Sequence, residues 1–465
     1  MIRRREFIAG VNIAVAVGLV PAVVHAVPDV SASMHGQRIA LLVGNRDYPG
    51  NFDLPSMPTN VKGLAASLER HDFSVTTLID GQRNAHLEAI KTFVKKVETL
   101  PPDGVALFYF CGHGVQVDSE NFLLPSGVMP SKRSIDESYN SYVALWRNLL
   151  DTLPKRQDML VATVLDCCRS SPKPITSSDG LNQVRAPSGE IIVFSTGSGR
   201  FALAPIDPEK YTFFTGTLIG RLDTLHAQPE ELSFADMFRL VGNEVYESMS
   251  NSPLPIIRTL SQQPFIADST LRSFKVNSST KIPAPTPPSI SASGSASSGP
   301  TEEELFRKLN SSTWPDDVRK NSEILLKSFP SSRYRSEAMV ARIGAIKAKQ
   351  VLAEPNNDIN LDEIDFKPSA IRDDREYAED LRRSGRGDKD AAVRIAQRFF
   401  SKKDAVQLSR YEAWLQFAGL LGDGIACDEL SRHYNELGMP AEAGKWSSRA
   451  KKFGYNAPAQ LRTTR

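Results

Sequence analysis

Two short segments carry side chains that could do nucleophilic chemistry together. Phe110-Cys111-Gly112-His113-Gly114 ends one apolar run, and Leu165-Asp166-Cys167-Cys168-Arg169 ends another. A thiolate is a strong nucleophile, and a histidine within reach can take the thiol proton or stabilise the thiolate as imidazolium. Cys168 is the candidate nucleophile and His113 its candidate base. Gly112 and Gly114 allow a tight turn around His113 and leave backbone N–H groups accessible. The N–H groups of Gly114 and Cys168 are therefore candidates for a hole that holds a tetrahedral oxyanion. Residues two apart on an extended strand share a face, which puts Cys111 beside His113 and Asp166 beside Cys168, with Cys167 turned the other way into packing. A zinc site from Cys111, His113, Cys167 and Cys168 is disfavoured, because adjacent cysteines on a strand diverge and converge poorly on one ion. No metal and no other cofactor is expected.

Both segments need a scaffold that delivers them to one edge. From Arg38 to about Lys275, apolar runs alternate with amphipathic stretches, the pattern of an α/β sandwich with a mostly parallel sheet. Strands are expected at Ile39–Val43, Phe73–Ile79, Val105–Cys111, Leu160–Cys167 and Ile191–Ser195. Helices are expected at Asn60–His71, Ala85–Leu100, Phe213–Leu222 and Phe234–Met249. The polar stretch Asp118-Ser119-Glu120-Asn121 reads as the tip of a hairpin inside 114–124. Sites in parallel sheets form just beyond the carboxyl ends of the strands, where His113 and Cys168 both fall.

Taken together, several of these segments resemble the caspase and metacaspase cysteine peptidases, over residues 37 to about 272. They are Val43-Gly44-Asn45 with Tyr48, Gly112-His113-Gly114-Val115-Gln116-Val117, Asn121-Phe122-Leu123-Leu124-Pro125, Asp166-Cys167-Cys168-Arg169 and Phe194-Ser195-Thr196-Gly197. The separation of 55 residues between His113 and Cys168 is near the about 50 of caspases. The resemblance implies a caspase-like α/β/α sandwich and a Cys168–His113 dyad working through an acyl-enzyme. It also implies an S1 pocket in which Asp166 favours arginine or lysine at P1. The chain departs from the family at two places. Val61 follows Asn60 where a second pocket acid is usual, and Cys111 stands where serine or alanine is usual, so Cys111 is expected to line the pocket.

Outside this region the chain changes character. Arg3-Arg4-Arg5, an apolar run over Val11–Val24 and Val24-His25-Ala26 make residues 1–26 an expected export signal, with Arg4-Arg5-Glu6-Phe7-Ile8 resembling the twin-arginine motif. A periplasmic or secreted protein is expected, the alternative being an uncleaved membrane anchor. Residues 276–300 are rich in Pro, Ser, Ala and Gly and read as a linker. Helices are expected over 301–355, where Phe329–Tyr334 resembles the joint of a tetratricopeptide-like repeat. In 377–465, Gly387-Asp388 recurs as Gly422-Asp423, an offset of 35 residues suited to helical hairpins that resemble Sel1-like repeats. Such repeats could recruit protein partners, and on a flexible tether they would concentrate substrate near the site. A second reading of the whole chain is a weakly active or inactive interaction protein of the same fold.

The composition of all 465 residues excludes other classes. A formal net charge of +2 gives no concentrated basic surface for nucleic acid. Four cysteines are too few for a disulfide framework. Past the export segment no run is long and apolar enough to span a bilayer. Protein or peptide substrates remain the natural partners.

Overall fold

The computed structural model describes residues 37–117, 120–128, 134–167, 181–197, 202–277, 299–353, 363–367, 374–400 and 404–457. The expected export signal, Cys168 and most of the expected linker lie outside the described residues.

In chain order the first region runs β1 (Arg38–Gly44), α1 (Met57–Arg70), β2 (Phe73–Ile79), α2 (Arg83–Glu98) and β3 (Val105–Gly112). The hairpin β4 (Gly114–Val117) and β5 (Glu120–Leu123) follows, then α3 (Ile135–Ser141), β6 (Val143–Ala144), α4 (Leu145–Asn148) and a 3-10 turn at Leu150–Thr152. The region closes with β7 (Leu160–Cys167), β8 (Glu190–Phe194), α5 (Phe213–Ala227), α6 (Phe234–Ser250), α7 (Pro255–Thr259) and β9 (Phe265–Asp268). Among the described residues the main sheet has the order β2-β1-β3-β7-β8-β9, parallel throughout except for β9. Its central strands read as unbroken apolar runs because both faces are covered. Leu107, Tyr109 and Cys111 of β3 join the core under α1, α5 and α6, while Ala106, Phe108 and Phe110 join the core under α2. Each large apolar side chain buried this way contributes about 1.5–3 kcal/mol.

The expected strands and helices of this region are all present, within a few residues at their ends. Strand β9 is a difference. Phe265-Ile266-Ala267-Asp268 is too short and too polar at its end to stand out, yet it pairs antiparallel with β8 and closes that edge. Val276 and Asn277, read as the start of the linker, are buried on this first region. The Val276 and Lys275 carbonyls accept from the Arg38 guanidinium at 2.5 and 3.0 Å, and Asn277 donates to the Leu225 carbonyl at 3.1 Å.

The second region is helical: α8 (Glu302–Ser311), α9 (Pro315–Ser328), α10 (Arg335–Ala353), α11 (Arg375–Ser384), α12 (Lys389–Phe399), α13 (Ala405–Leu420), α14 (Gly424–Glu436) and α15 (Pro440–Lys452). The repeated dipeptide has one local structure at both places. Gly387 and Gly422 take positive φ, and Asp388 and Asp423 then cap α12 and α14 by accepting backbone N–H groups. These helices do not hang on a tether. Arg239 of α6 and Asp268 of β9 form a buried ionic cluster with Arg383 and Asp388, at 2.5–2.9 Å. The Asp268 N–H also donates to Asp390 at 3.1 Å, and Arg394 donates to the Asp268 carbonyl at 3.1 Å. No helix among the described residues is long and apolar enough to cross a membrane.

Candidate active site

The chain order of the sheet changes direction between β1 and β3, because β2 lies outside β1 and β7 lies outside β3. Loops leaving the carboxyl ends at such a switch point diverge and open a crevice. His113 follows β3 at that point, and the loop after β1 brings Tyr48 and Phe52 to it. Phe52 offers its backbone carbonyl to His113 Nε2 at 2.8 Å. A carbonyl can only accept, so Nε2 carries the proton and Nδ1 keeps its lone pair. The Tyr48 hydroxyl accepts the His113 backbone N–H at 3.1 Å and donates to the Leu124 carbonyl at 3.1 Å. Its ring meets the imidazole edge-on at 4.5 Å between centroids. Burial pulls the His113 pKa below its ordinary value, against the smaller opposing effect of the Phe52 carbonyl. The result is an oriented imidazole, neutral at physiological pH.

Gly112 makes this possible sterically. A Cβ there would lie 2.7 Å from the Tyr48 hydroxyl and 2.9 Å from the Phe110 ring. On the other side, Gly114 stands opposite Leu123 in the hairpin, and the Leu124 N–H already donates to the His113 carbonyl at 3.0 Å. That pattern makes Gly114–Leu123 a non-hydrogen-bonded pair, so the Gly114 N–H points away from β5, on the edge of β4 that pairs with no strand among the described residues.

Strand register aligns Gly44, Cys111 and Asp166 across β1, β3 and β7. Asp166 is only 3% exposed, and its Oδ2 accepts the hydroxyls of Thr212 and Thr215 at 2.5 and 2.6 Å. Thr212 caps the N-terminus of α5, so the helix dipole favours a negative charge here. Asn60 completes the group, taking the Thr212 N–H at 3.1 Å and donating to its hydroxyl at 3.3 Å. Burial raises the Asp166 pKa, and the hydroxyls of Thr212, Thr215 and Ser195 work against that rise. Oδ1 is left without a well-formed hydrogen bond among the described residues.

Cys111 is fully buried beside Val61, and its Sγ reaches the Met57 carbonyl at 3.7 Å. Burial pushes its thiol pKa far up, so it stays protonated. Cys167 lies in the core on the opposite face of the sheet from Cys111, and the two cannot share an ion. Cys168 lies outside the described residues; the chain reaches it directly from Cys167. The structure therefore gathers His113 and Gly114 at the switch point and sets Asp166 and Cys111 on neighbouring strand ends. Sequence reasoning missed the Phe52 carbonyl, Thr212 and Thr215. Only Thr212 had a signal, as a capping residue ahead of the α5 run.

The described residues thus form a mostly parallel α/β sandwich with an oriented imidazole at its switch point. Residues 37–275, half of the chain, match the family model described as the caspase domain, and the chain belongs to that family. Membership supports a cysteine-peptidase function in general terms. The solved caspase-1 of Spodoptera frugiperda is similar at 16% identity, covering 52% of this chain and 94% of its own, with a TM-score of 0.39. No curated protein matches the chain.

Proposed function

We propose that the chain is a cysteine endopeptidase in which His113 and Cys168 form the dyad and cleavage follows arginine or lysine. The observation that carries the reading is the His113 imidazole, whose Nε2–H is tied to the Phe52 carbonyl and whose Nδ1 is left as a base. In the reaction Nδ1 takes the Cys168 thiol proton, and the thiolate attacks the peptide carbonyl carbon. The oxyanion that forms is received by the backbone N–H groups of Gly114 and Cys168. Collapse expels the amine, which takes the proton from His113 and leaves a thioester. His113 then deprotonates water, which attacks the thioester and releases acid and thiol.

Asp166 is the acid proposed for the P1 side chain. Its Oδ1, without a well-formed hydrogen bond among the described residues, supports that role. Val61, packed in the core where relatives supply a second acid, makes the pocket singly charged. The Gly-Asp turns support Sel1-like helical repeats, and the arginine-led N-terminal segment supports export to the periplasm. The test is hydrolysis of two fluorogenic peptides, one with Arg and one with Asp at P1, by wild type and Cys168→Ala. Arg-directed cleavage lost in the variant is expected. Cleavage that survives Cys168→Ala, or silence on both peptides, would overturn the reading.

A further inference from the structure

Between β7 and β8 the chain passes through Leu181, Asn182, Gln183 and Arg185; Leu181 packs within the first region, and the other three reach the second region. Leu181 is fully buried in the same apolar cluster as Cys167 and Leu123, with its side chain against Gly114. The Asn182 backbone pairs with a side chain of the His113 hairpin. Its N–H donates to Asn121 Oδ1 at 2.7 Å, and its carbonyl accepts from Asn121 Nδ2 at 3.1 Å. The Asn182 side chain repeats the pattern one step further out. Its Nδ2 donates to the Asn456 carbonyl at 2.9 Å, and its Oδ1 accepts the Asn456 N–H at 3.1 Å.

Gln183 does the same across two helices. Its Nε2 donates to the Phe453 carbonyl at 2.7 Å, beyond the end of α15, and its Oε1 accepts the Gly424 N–H at 2.9 Å, at the start of α14. Arg185 adds ion pairs to Asp423 at 3.4 Å and Glu429 at 3.6 Å. A carboxamide offers a donor NH2 group beside an acceptor oxygen, so it can stand in for a backbone partner and fix both position and direction. Asn121, Asn182 and Gln183 are 2%, 3% and 4% exposed, so removing one partner strands a buried polar group.

We propose that the C-terminal helices are a working part of the peptidase site, bracing the His113 hairpin through the amide relay Asn121–Asn182–Asn456 and through Gln183. Asn182 and Gln183 are then positioning residues, acting through β5 and Leu124, whose N–H holds the His113 carbonyl. The helical region orders the site as well as any partner it recruits. This inference rests on the peptidase reading above for its kinetic consequence, and on the hydrogen bonds alone for its structural one.

The test uses the full chain as Asn182→Ala, which removes the link to Asn456, and as Gln183→Ala, which removes the links to Phe453 and Gly424. The bonds from Asn121 run to the Asn182 backbone and remain in both. Leu325→Ala, in the separate core of α8–α10, is the control for general loosening. The readouts are kcat and KM on the Arg peptide, and amide hydrogen exchange over 113–124. The relay variants are expected to lose kcat roughly tenfold or more with little change in KM, because misplacing a catalytic group costs rate rather than binding. Exchange in β4 and β5 should speed up in the same variants, and Leu325→Ala should change neither. Wild-type kcat or unaltered exchange in Asn182→Ala overturns the proposal, as does an equal kcat loss in Leu325→Ala. If the wild type cleaves neither peptide, the peptidase reading fails by itself. Exchange then decides the brace, with faster exchange in Asn182→Ala sustaining it and unchanged exchange sinking it.

Discussion

His86 shows what enclosure does to an imidazole whose partners are an amide and a backbone group. It is 1% exposed, hydrogen-bonds with the Asn45 side chain and the Gly81 backbone, and packs edge-on to Phe110. Burial lowers its pKa from 6.5 to about 4. With the folded value below the unfolded one, the unfolded chain binds the proton first as pH falls. The contribution of His86 to stability is therefore whole above about pH 6.5 and drains away between there and about pH 4. Wild type should lose about 2–3 kcal/mol more than His86→Asn on going from pH 7.5 to 4.5, measured by urea unfolding. The chemistry-bearing side chains near it were legible in the sequence, because strand parity alone separates Cys111 and Asp166 from Cys167. The Phe52 carbonyl was not, since every residue has a carbonyl and only the path of the chain decides which one meets an imidazole.

Strand β3 and the hairpin behind it depend on how closely backbone and ring can approach. Gly112→Ala would drive a methyl group into the Tyr48 hydroxyl and the Phe110 ring. Overpacking of this kind costs about 1–3 kcal/mol. Displacing Tyr48 frees the His113 N–H, so peptide hydrolysis should fall by about a hundredfold. A kcat measurement alongside a thermal melt checks both, and a variant that melts earlier at full kcat would show that Tyr48 does not set the imidazole. The long elements were readable because parallel strands buried on both faces, such as β1, β3 and β7, leave continuous apolar runs. Helices α2 and α6 carry their apolar residues at helical spacing. The elements β6, α4, α7 and β9, of two to five residues, carry too few side chains to announce a period and form only in the setting their neighbours provide.

At the scale of the molecule, charge joins what composition divides. Alone, burial would raise the Asp388 carboxyl, but the guanidinium groups of Arg383 and Arg239 hold it far below the usual range. Burial would likewise weaken Arg239, and the carboxylates of Asp388, Asp268 and Asp236 raise it instead. Removing one member strands the others, so Asp388→Ala should cost about 3–5 kcal/mol. Calorimetry should show one transition for wild type and two for the variant, as the helices uncouple from the sheet. A single transition in the variant would mean that the remaining contacts, the amide relay and the Arg185 ion pairs among them, suffice to join the halves. The sequence showed two regions and a repeat, but not that both Gly-Asp turns face the first region, since ion pairs between distant segments leave no local pattern. The relay adds an order in time. Asn456 is made more than three hundred residues after His113, some tens of seconds later at about 5–20 residues per second. Throughout that interval the hairpin lacks its outer partners, so under the proposed peptidase reading a nascent chain would hold its dyad slack until nearly all of its own length had been made.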